Sequence, residues 1–93
     1  MIKANSYFNE AVKSLGYDSK EGSSTVGVME AGDYEFGTSS HETMIVIEGE
    51  LVVTLPGETE AKSYKNGEQF VVEANKSFKA TAVFQTSYLC KYK

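Results

Sequence analysis

The stretch from Glu42 to Gly57 limits the possible folds more than any other. It reads Glu-Thr-Met-Ile-Val-Ile-Glu-Gly-Glu-Leu-Val-Val-Thr-Leu-Pro-Gly, with two apolar, largely β-branched runs, Met44–Ile47 and Leu51–Leu55, on either side of the acidic turn Glu48-Gly49-Glu50. β-Branched side chains suit a pleated surface, and a Gly between two such runs is a hairpin signal. Pro56-Gly57 then closes the second run, where a residue without an N–H costs no ladder bond. Because side chains alternate across a strand, Glu42 shares a face with Met44 and Val46. A carboxylate in a row that otherwise reads as core marks Glu42 as a candidate functional residue.

Runs of this kind recur roughly every 8–12 residues, the spacing of an all-β sandwich or barrel. Near the N-terminus, Asn5 or Ser6 is a capping residue that predicts one helical turn before an extended Val12–Tyr17. Asp18–Ser24 holds Gly22 and no large apolar side chain, which predicts a mobile loop. Strands are expected over Thr25–Met29, Tyr34–Phe36, Ala61–Tyr64, Phe70–Val72, Ser77–Phe84 and Thr86–Tyr92, with turns at Ala31-Gly32-Asp33 and Lys65-Asn66-Gly67. No long segment carries helical period, and there is no internal repeat or linker. Residues 1–93 read as one domain.

Composition removes several function classes. With 41% hydrophobic residues among 93, a modest core forms without staples. The chain has no Arg, its nine Lys are scattered and its formal net charge is −4, so it lacks the clustered cations that track nucleic-acid phosphates. One Cys allows no internal disulfide, and neither a signal-peptide core nor an apolar run of about 18 residues is present. These features lead to the expectation of a cytoplasmic protein with no nucleic-acid and no membrane partner.

Few residues offer chemistry. His41 is the only His, so a transition-metal site would rest on Glu side chains, and no metal is expected. His41 beside Ser39-Ser40 reads as an exposed loop residue, and Cys90 between Leu89 and Lys91 as a small core residue. Neither Gly-x-Ser-x-Gly nor a Gly-rich phosphate loop occurs. What remains is an aromatic background of six Tyr and five Phe, suited both to a core and to stacking on a planar ligand.

Glu42, six intervening residues and Gly49 match the spacing that ends the first sequence motif of the cupin superfamily. In cupins, two metal-binding His precede that Glu, at positions that fall here on about Phe36 and Thr38, and a third falls near Phe78. Only Glu42 of the four survives. More closely, the chain resembles the small cupins known as pyrimidine/purine nucleoside phosphorylases. The similar stretches are Tyr7-Phe8, Val12-Lys13-Ser14-Leu15-Gly16, Ser24-Thr25-Val26-Gly27-Val28-Met29, Gly32-Asp33-Tyr34-Glu35-Phe36, Glu42-Thr43-Met44, Gly49 and Thr86-Ser87-Tyr88-Leu89-Cys90-Lys91-Tyr92. Two departures stand out: Glu73-Ala74 replaces the Pro-Gly of relatives, and Lys91 stands where they are expected to carry Arg, giving one mobile point charge in place of a bidentate fork.

The resemblance implies a single-domain cupin β-sandwich or jelly roll. It also implies phosphorolysis of purine and pyrimidine nucleosides, with inorganic phosphate as co-substrate, no cofactor, and a homodimeric state. Under that reading Glu42 is catalytic, binding ribose hydroxyls or stabilising the developing cation, and Lys91 holds phosphate. Tyr34, Phe36 and Tyr88 stack on the base, with Thr38 counted among the substrate-binding positions. The alternative is a non-catalytic, metal-free cupin binding module, and a metal-dependent cupin oxygenase or isomerase is disfavoured by the incomplete ligand set.

Overall fold

The computed structural model describes residues 1–92. Its strands are β1 (Lys3–Tyr7), β2 (Val12–Ser19), β3 (Gly22–Met29), β4 (Gly32–Gly37), β5 (Glu42–Glu48), β6 (Glu50–Thr54), β7 (Lys62–Lys65), β8 (Gln69–Val72), β9 (Ser77–Ala82) and β10 (Thr86–Tyr92), and no helix occurs among the described residues. They form two antiparallel sheets, one in the order β1-β2-β3-β10-β5-β8 and the other β4-β9-β6-β7. The all-β expectation holds.

Period-2 alternation decides which side chains face the space between the sheets. From the larger sheet, Val12, Met29, Met44, Val46, Phe70, Val72, Tyr88 and Cys90 point inward; from the smaller, Tyr34, Leu51, Val53, Phe78, Ala80 and Ala82 meet them. Burying each large apolar side chain contributes roughly 1.5–3 kcal/mol. The exclusion of water is most complete at one end, where Val12, Met29, Val46, Leu51 and Thr86 have at most 1% of their surface exposed.

The central hairpin read from the sequence is not one. β5 pairs with β10 and β8, whereas β6 pairs with β9 and β7, so the chain leaves one sheet at Glu48 and enters the other at Glu50. Two inward-facing apolar runs either side of a Gly fit this corner as well as a hairpin, because both bury one face. Gly49 makes the corner, with φ +123° and its Cα so close to Thr86 that a Cβ would overlap the Thr86 side chain. Its N–H donates to Asn66 Oδ1 (2.8 Å), and the neighbouring Gly67 N–H donates to the Val46 carbonyl (2.7 Å). The β5–β6 and β7–β8 corners thus brace each other.

Two further expectations are corrected. Asn5 and Ser6 lie inside strand β1, paired with Ser14 and Lys13, so no helical turn starts there. Asp18–Ser24 is not a mobile loop but the tip of the β2–β3 hairpin, in which Ser19 pairs with Gly22 around Lys20-Glu21. Its polar residues reflect strand ends that project beyond the core, and the Ser23 hydroxyl donates to Asp18 Oδ1 across the ladder.

Among the described residues, the β1–β2 connection holds three of the four non-Gly residues with positive φ. Phe8, Asn9 and Glu10 have φ of 53°, 55° and 68°, three successive non-Gly residues in the left-handed region, closed by a bond from the Ala11 N–H to the Phe8 carbonyl (3.1 Å). Each such residue costs about 1–2 kcal/mol unless its side chain tolerates the conformation, as Asn does. Glu10 has no such tolerance, and its ion pair with Lys13 (3.6 Å) is largely exposed and contributes little. Glu10→Gly is therefore expected to stabilise the fold by about 0.5–1 kcal/mol, after allowing for the greater chain entropy of Gly. Thermal unfolding reads this as a Tm rise of about 4 °C, and a fall would refute the strain.

Candidate active site

At the end of the sandwich remote from Thr86 the sheets splay, leaving an open cavity of about 460 Å³. That is within the range of about 300–1,000 Å³ for small-ligand sites. Its two walls differ in chemistry. The smaller sheet supplies Phe36 from β4 and Phe78 from β9, rings 5.5 Å apart, while the larger sheet supplies Ser14, Thr25, Glu42, Tyr88, Cys90 and Tyr92. The first wall is an aromatic surface, the second a row of hydroxyls and one carboxyl. Among the described residues that line the cavity there is no Lys, and both charged groups, Glu35 and Glu42, are acidic.

Strand register explains the polar wall. Cys90 pairs with Met44 and Tyr92 with Glu42, so alternate residues of β10 stand beside alternate residues of β5. The Cys90 thiol donates to Glu42 Oε1 (3.4 Å), and the Tyr92 and Thr25 hydroxyls share a hydrogen bond of 2.9 Å. Burial raises the Glu42 pKa, partly offset by the Cys90 hydrogen bond. Cys90 is pushed up to about 12, by burial first and then by the nearby Glu42 charge, so its thiol is a proton-bearing donor and no nucleophile near neutral pH. Burial also raises Tyr92, and takes Tyr88 up to about 12. The Tyr88 ring lies flat on the β3 backbone: a Cβ at its partner Gly27 would be 2.5 Å from the hydroxyl oxygen. Only Gly leaves room for that ring.

Of the residues singled out in the sequence, the structure brings Glu42, Phe36 and Tyr88 together in this cavity. Tyr34 is turned away and anchored by its hydroxyl on the Glu30 carbonyl (2.7 Å). Thr38 is buried, donating to the Glu73 carbonyl (2.7 Å) and accepting from the Lys76 N–H (3.0 Å), which ties the β4–β5 connection to the β8–β9 turn. Lys91 faces the other side of β10, in a smaller cleft with Ser24, His41 and Thr43, where Glu21 Oε1 binds its ammonium at 2.6 Å. His41 is half-buried in that cleft rather than exposed, its Nε2 3.9 Å from Glu73. Cys90, read as core, is buried, yet it touches Glu42 as well. Thr25, whose hydroxyl the sequence offers as a phosphate donor, does line the cavity, whereas Ser14, Cys90 and Tyr92 were not singled out for it, although the alternation that selected Tyr88 also points Cys90 and Tyr92 inward.

The residues at the cupin ligand positions do not fit a metal. Phe36 and Phe78 offer rings without donor atoms, the Thr38 hydroxyl is committed to backbone, and Glu42 alone carries a ligand group. Among the described residues, no three of His, Cys, Asp and Glu converge.

Residues 2–92 match the family model described as pyrimidine/purine nucleoside phosphorylase. A protein of that name from Pseudoalteromonas atlantica is 50% identical over 92 residues, 99% of each chain. A crystal structure of a protein of unknown function from Vibrio parahaemolyticus superposes with TM-score 0.96 and 46% identity, covering 100% of this chain and 99% of the other. An RmlC-like cupin from Shewanella frigidimarina, 14% identical, superposes with TM-score 0.74 over 98% of this chain and 82% of its own, which establishes the cupin fold.

The raised Glu42 pKa gives a stability prediction. The fold holds the Glu42 proton more tightly than the unfolded chain does, so stability is lost as pH rises from the ordinary value of 4.5 through the raised one. Glu42→Gln removes this titration. Its Tm is expected to exceed that of the wild type at about pH 8 and to match it at about pH 4, and a constant difference across that range would refute the assignment.

Proposed function

The chain belongs to the pyrimidine/purine nucleoside phosphorylase family, and from that premise we propose that it cleaves purine and pyrimidine nucleosides with inorganic phosphate, giving free base and ribose 1-phosphate. The observation that carries this reading is a two-walled cavity, aromatic on one side and hydroxyl- and carboxyl-bearing on the other, with Glu42 in the second wall. A nucleoside has the same polarity, a flat base joined to a hydroxylated sugar. In the reaction the bond from C1′ to the base nitrogen breaks, the electron pair leaves with the base, a phosphate oxygen bonds to C1′, and the base takes up a proton.

Positive charge builds on the ribose as the base departs, so a fixed anion beside it lowers the barrier. Glu42 is that anion in our reading, and it accepts ribose hydroxyls in the ground state. Phe36 and Tyr88 stack on the base, and since every base has a π-face, stacking explains tolerance of both base classes. Ser14, Thr25 and Tyr92 offer hydroxyls to the sugar and phosphate oxygens. Tyr34 and Thr38, bound to backbone carbonyls, support the walls without lining the cavity. With Lys91 neutralised by Glu21 outside the cavity, phosphate is held without it. No cofactor enters the scheme.

Purified protein incubated with uridine or adenosine, with and without phosphate, tests the reaction. Phosphate-dependent release of base is expected, and release in neither case favours the metal-free binding module. Glu42→Gln is expected to lower kcat by about 10²-fold while staying folded, and full activity would remove Glu42 from the mechanism. Lys91→Ala is expected to change the KM for phosphate by less than about fivefold, because its ion pair is substantially exposed.

We also propose a homodimer in the cytoplasm. Leu15, Val26, Leu89 and Ile45 are consecutive partners across β2, β3, β10 and β5 on the outer face of the larger sheet, with 51% of Leu15 and 38% of Val26 exposed. Val28, 51% exposed, extends the patch. Such a contiguous apolar row fits a second copy better than water. Leu15→Glu is expected to convert the dimer to monomer in light scattering, and an unchanged mass would move the interface elsewhere.

A further inference from the structure

The left-handed turn at Phe8–Glu10 has no explanation in the hairpin it closes. A connection from Tyr7 to Val12 is commonly made with Gly or Asn where φ is positive, yet here Phe8 and Glu10 adopt that region as well. The turn instead directs the Phe8 ring away from its own sheet. Phe8 reaches the facing sheet, its ring 5.1 Å from Tyr34 and 5.5 Å from Phe36 on β4, the second contact at an interplanar angle of 85°. Phe8 thus spans the gap between the sheets at the cavity, and it lines that cavity together with Phe36 and Phe78.

Phe8 is also 45% exposed. A strained backbone that holds an aromatic side chain half in water, at the edge of a cavity, is the arrangement expected of a residue whose remaining surface is covered by a ligand. The perpendicular Phe8 and Phe36 rings form a corner. A flat heteroaromatic group lying on one ring meets the other edge-on, the geometry that aromatic pairs prefer.

We propose that Phe8 is a base-binding residue, held over the cavity by the left-handed turn to form with Phe36 an aromatic corner for the nucleobase. The proposal rests on the nucleoside reading of this cavity. It adds a contact from the β1–β2 turn, outside the two sheets that form the cavity walls. A corner of this kind grips a two-ring purine more extensively than a one-ring pyrimidine, so Phe8 contributes more to adenosine than to uridine.

The test compares Phe8→Ala, Phe8→Leu and Phe8→Tyr in phosphorolysis of adenosine and uridine at saturating phosphate, with thermal unfolding to check the fold. Phe8→Ala is expected to raise the KM for adenosine by about tenfold or more, and that for uridine by less, with kcat within about threefold, in line with base–aromatic stacking. Phe8→Leu keeps apolar bulk without a π-face and is expected to remain weak, whereas Phe8→Tyr restores the wild-type KM. If Phe8→Leu matches wild type for both nucleosides, the ring is packing only and the proposal fails. Equilibrium dialysis with adenosine separates this failure from that of the phosphorylase reading. Wild type that binds adenosine without turnover, with Phe8→Ala binding at least tenfold more weakly, overturns the reaction but upholds the corner. Equal binding by the two overturns the corner, and wild type that neither binds nor turns over overturns both.

Discussion

The inward row of β10 governs this molecule, because that strand is hydrogen-bonded on both edges and every second side chain enters the space between the sheets. The row reads Thr86, Tyr88, Cys90, Tyr92, from fully buried to half-buried. Its neighbours change in step: β5 runs Val46, Met44, Glu42, and β3 runs Met29, Gly27, Thr25 in the same direction. One end of the sandwich is therefore closed by apolar packing, and the other presents hydroxyls and a carboxyl. Without the closed end, the open end would have nothing to hold its polar groups at fixed spacing, and Glu42 would meet water rather than a thiol.

The β5 part of that gradient was legible in the sequence because alternation is local. Glu42 in line with Met44 and Val46 needed no structure to be noticed, and the strands over Thr25–Met29 and Thr86–Tyr92 follow from the same periodicity. What alternation does not encode is the sheet to which a strand belongs. Met44–Ile47 and Leu51–Leu55 each bury one face whether they pair with each other or with distant strands, so the corner at Gly49 looked like a hairpin. The turn at Phe8–Glu10 was hidden for another reason. Positive φ is signalled by Gly or Asn, and two of its three residues are neither. Asp18–Ser24 misled in the opposite sense, since polar residues also occur in strands whose ends pass beyond the core.

Membership of a metal-binding fold without its metal ligands changes what a carboxyl at this position does. In a cupin site a cation would hold the Glu ionised and orient it. Here the orienting group is the Cys90 thiol, a weak donor, and the surroundings are aromatic rings, so desolvation dominates and the acid is made harder to ionise. Phe36 and Phe78 have exchanged coordination chemistry for surface area.

The place of β10 in the larger sheet also sets the order in which the chain can assemble. β3 and β5, its neighbours on either side, precede it by dozens of residues, and they do not pair with each other. Within the larger sheet, the β1–β2–β3 hairpins and the β5–β8 pair share no ladder except through β10, so their facing edges stay open until β10 pairs between them. Long-range closure of this kind is slow, and the unpaired edges of β3 and β5 are the surfaces on which a nascent chain is open to aggregation.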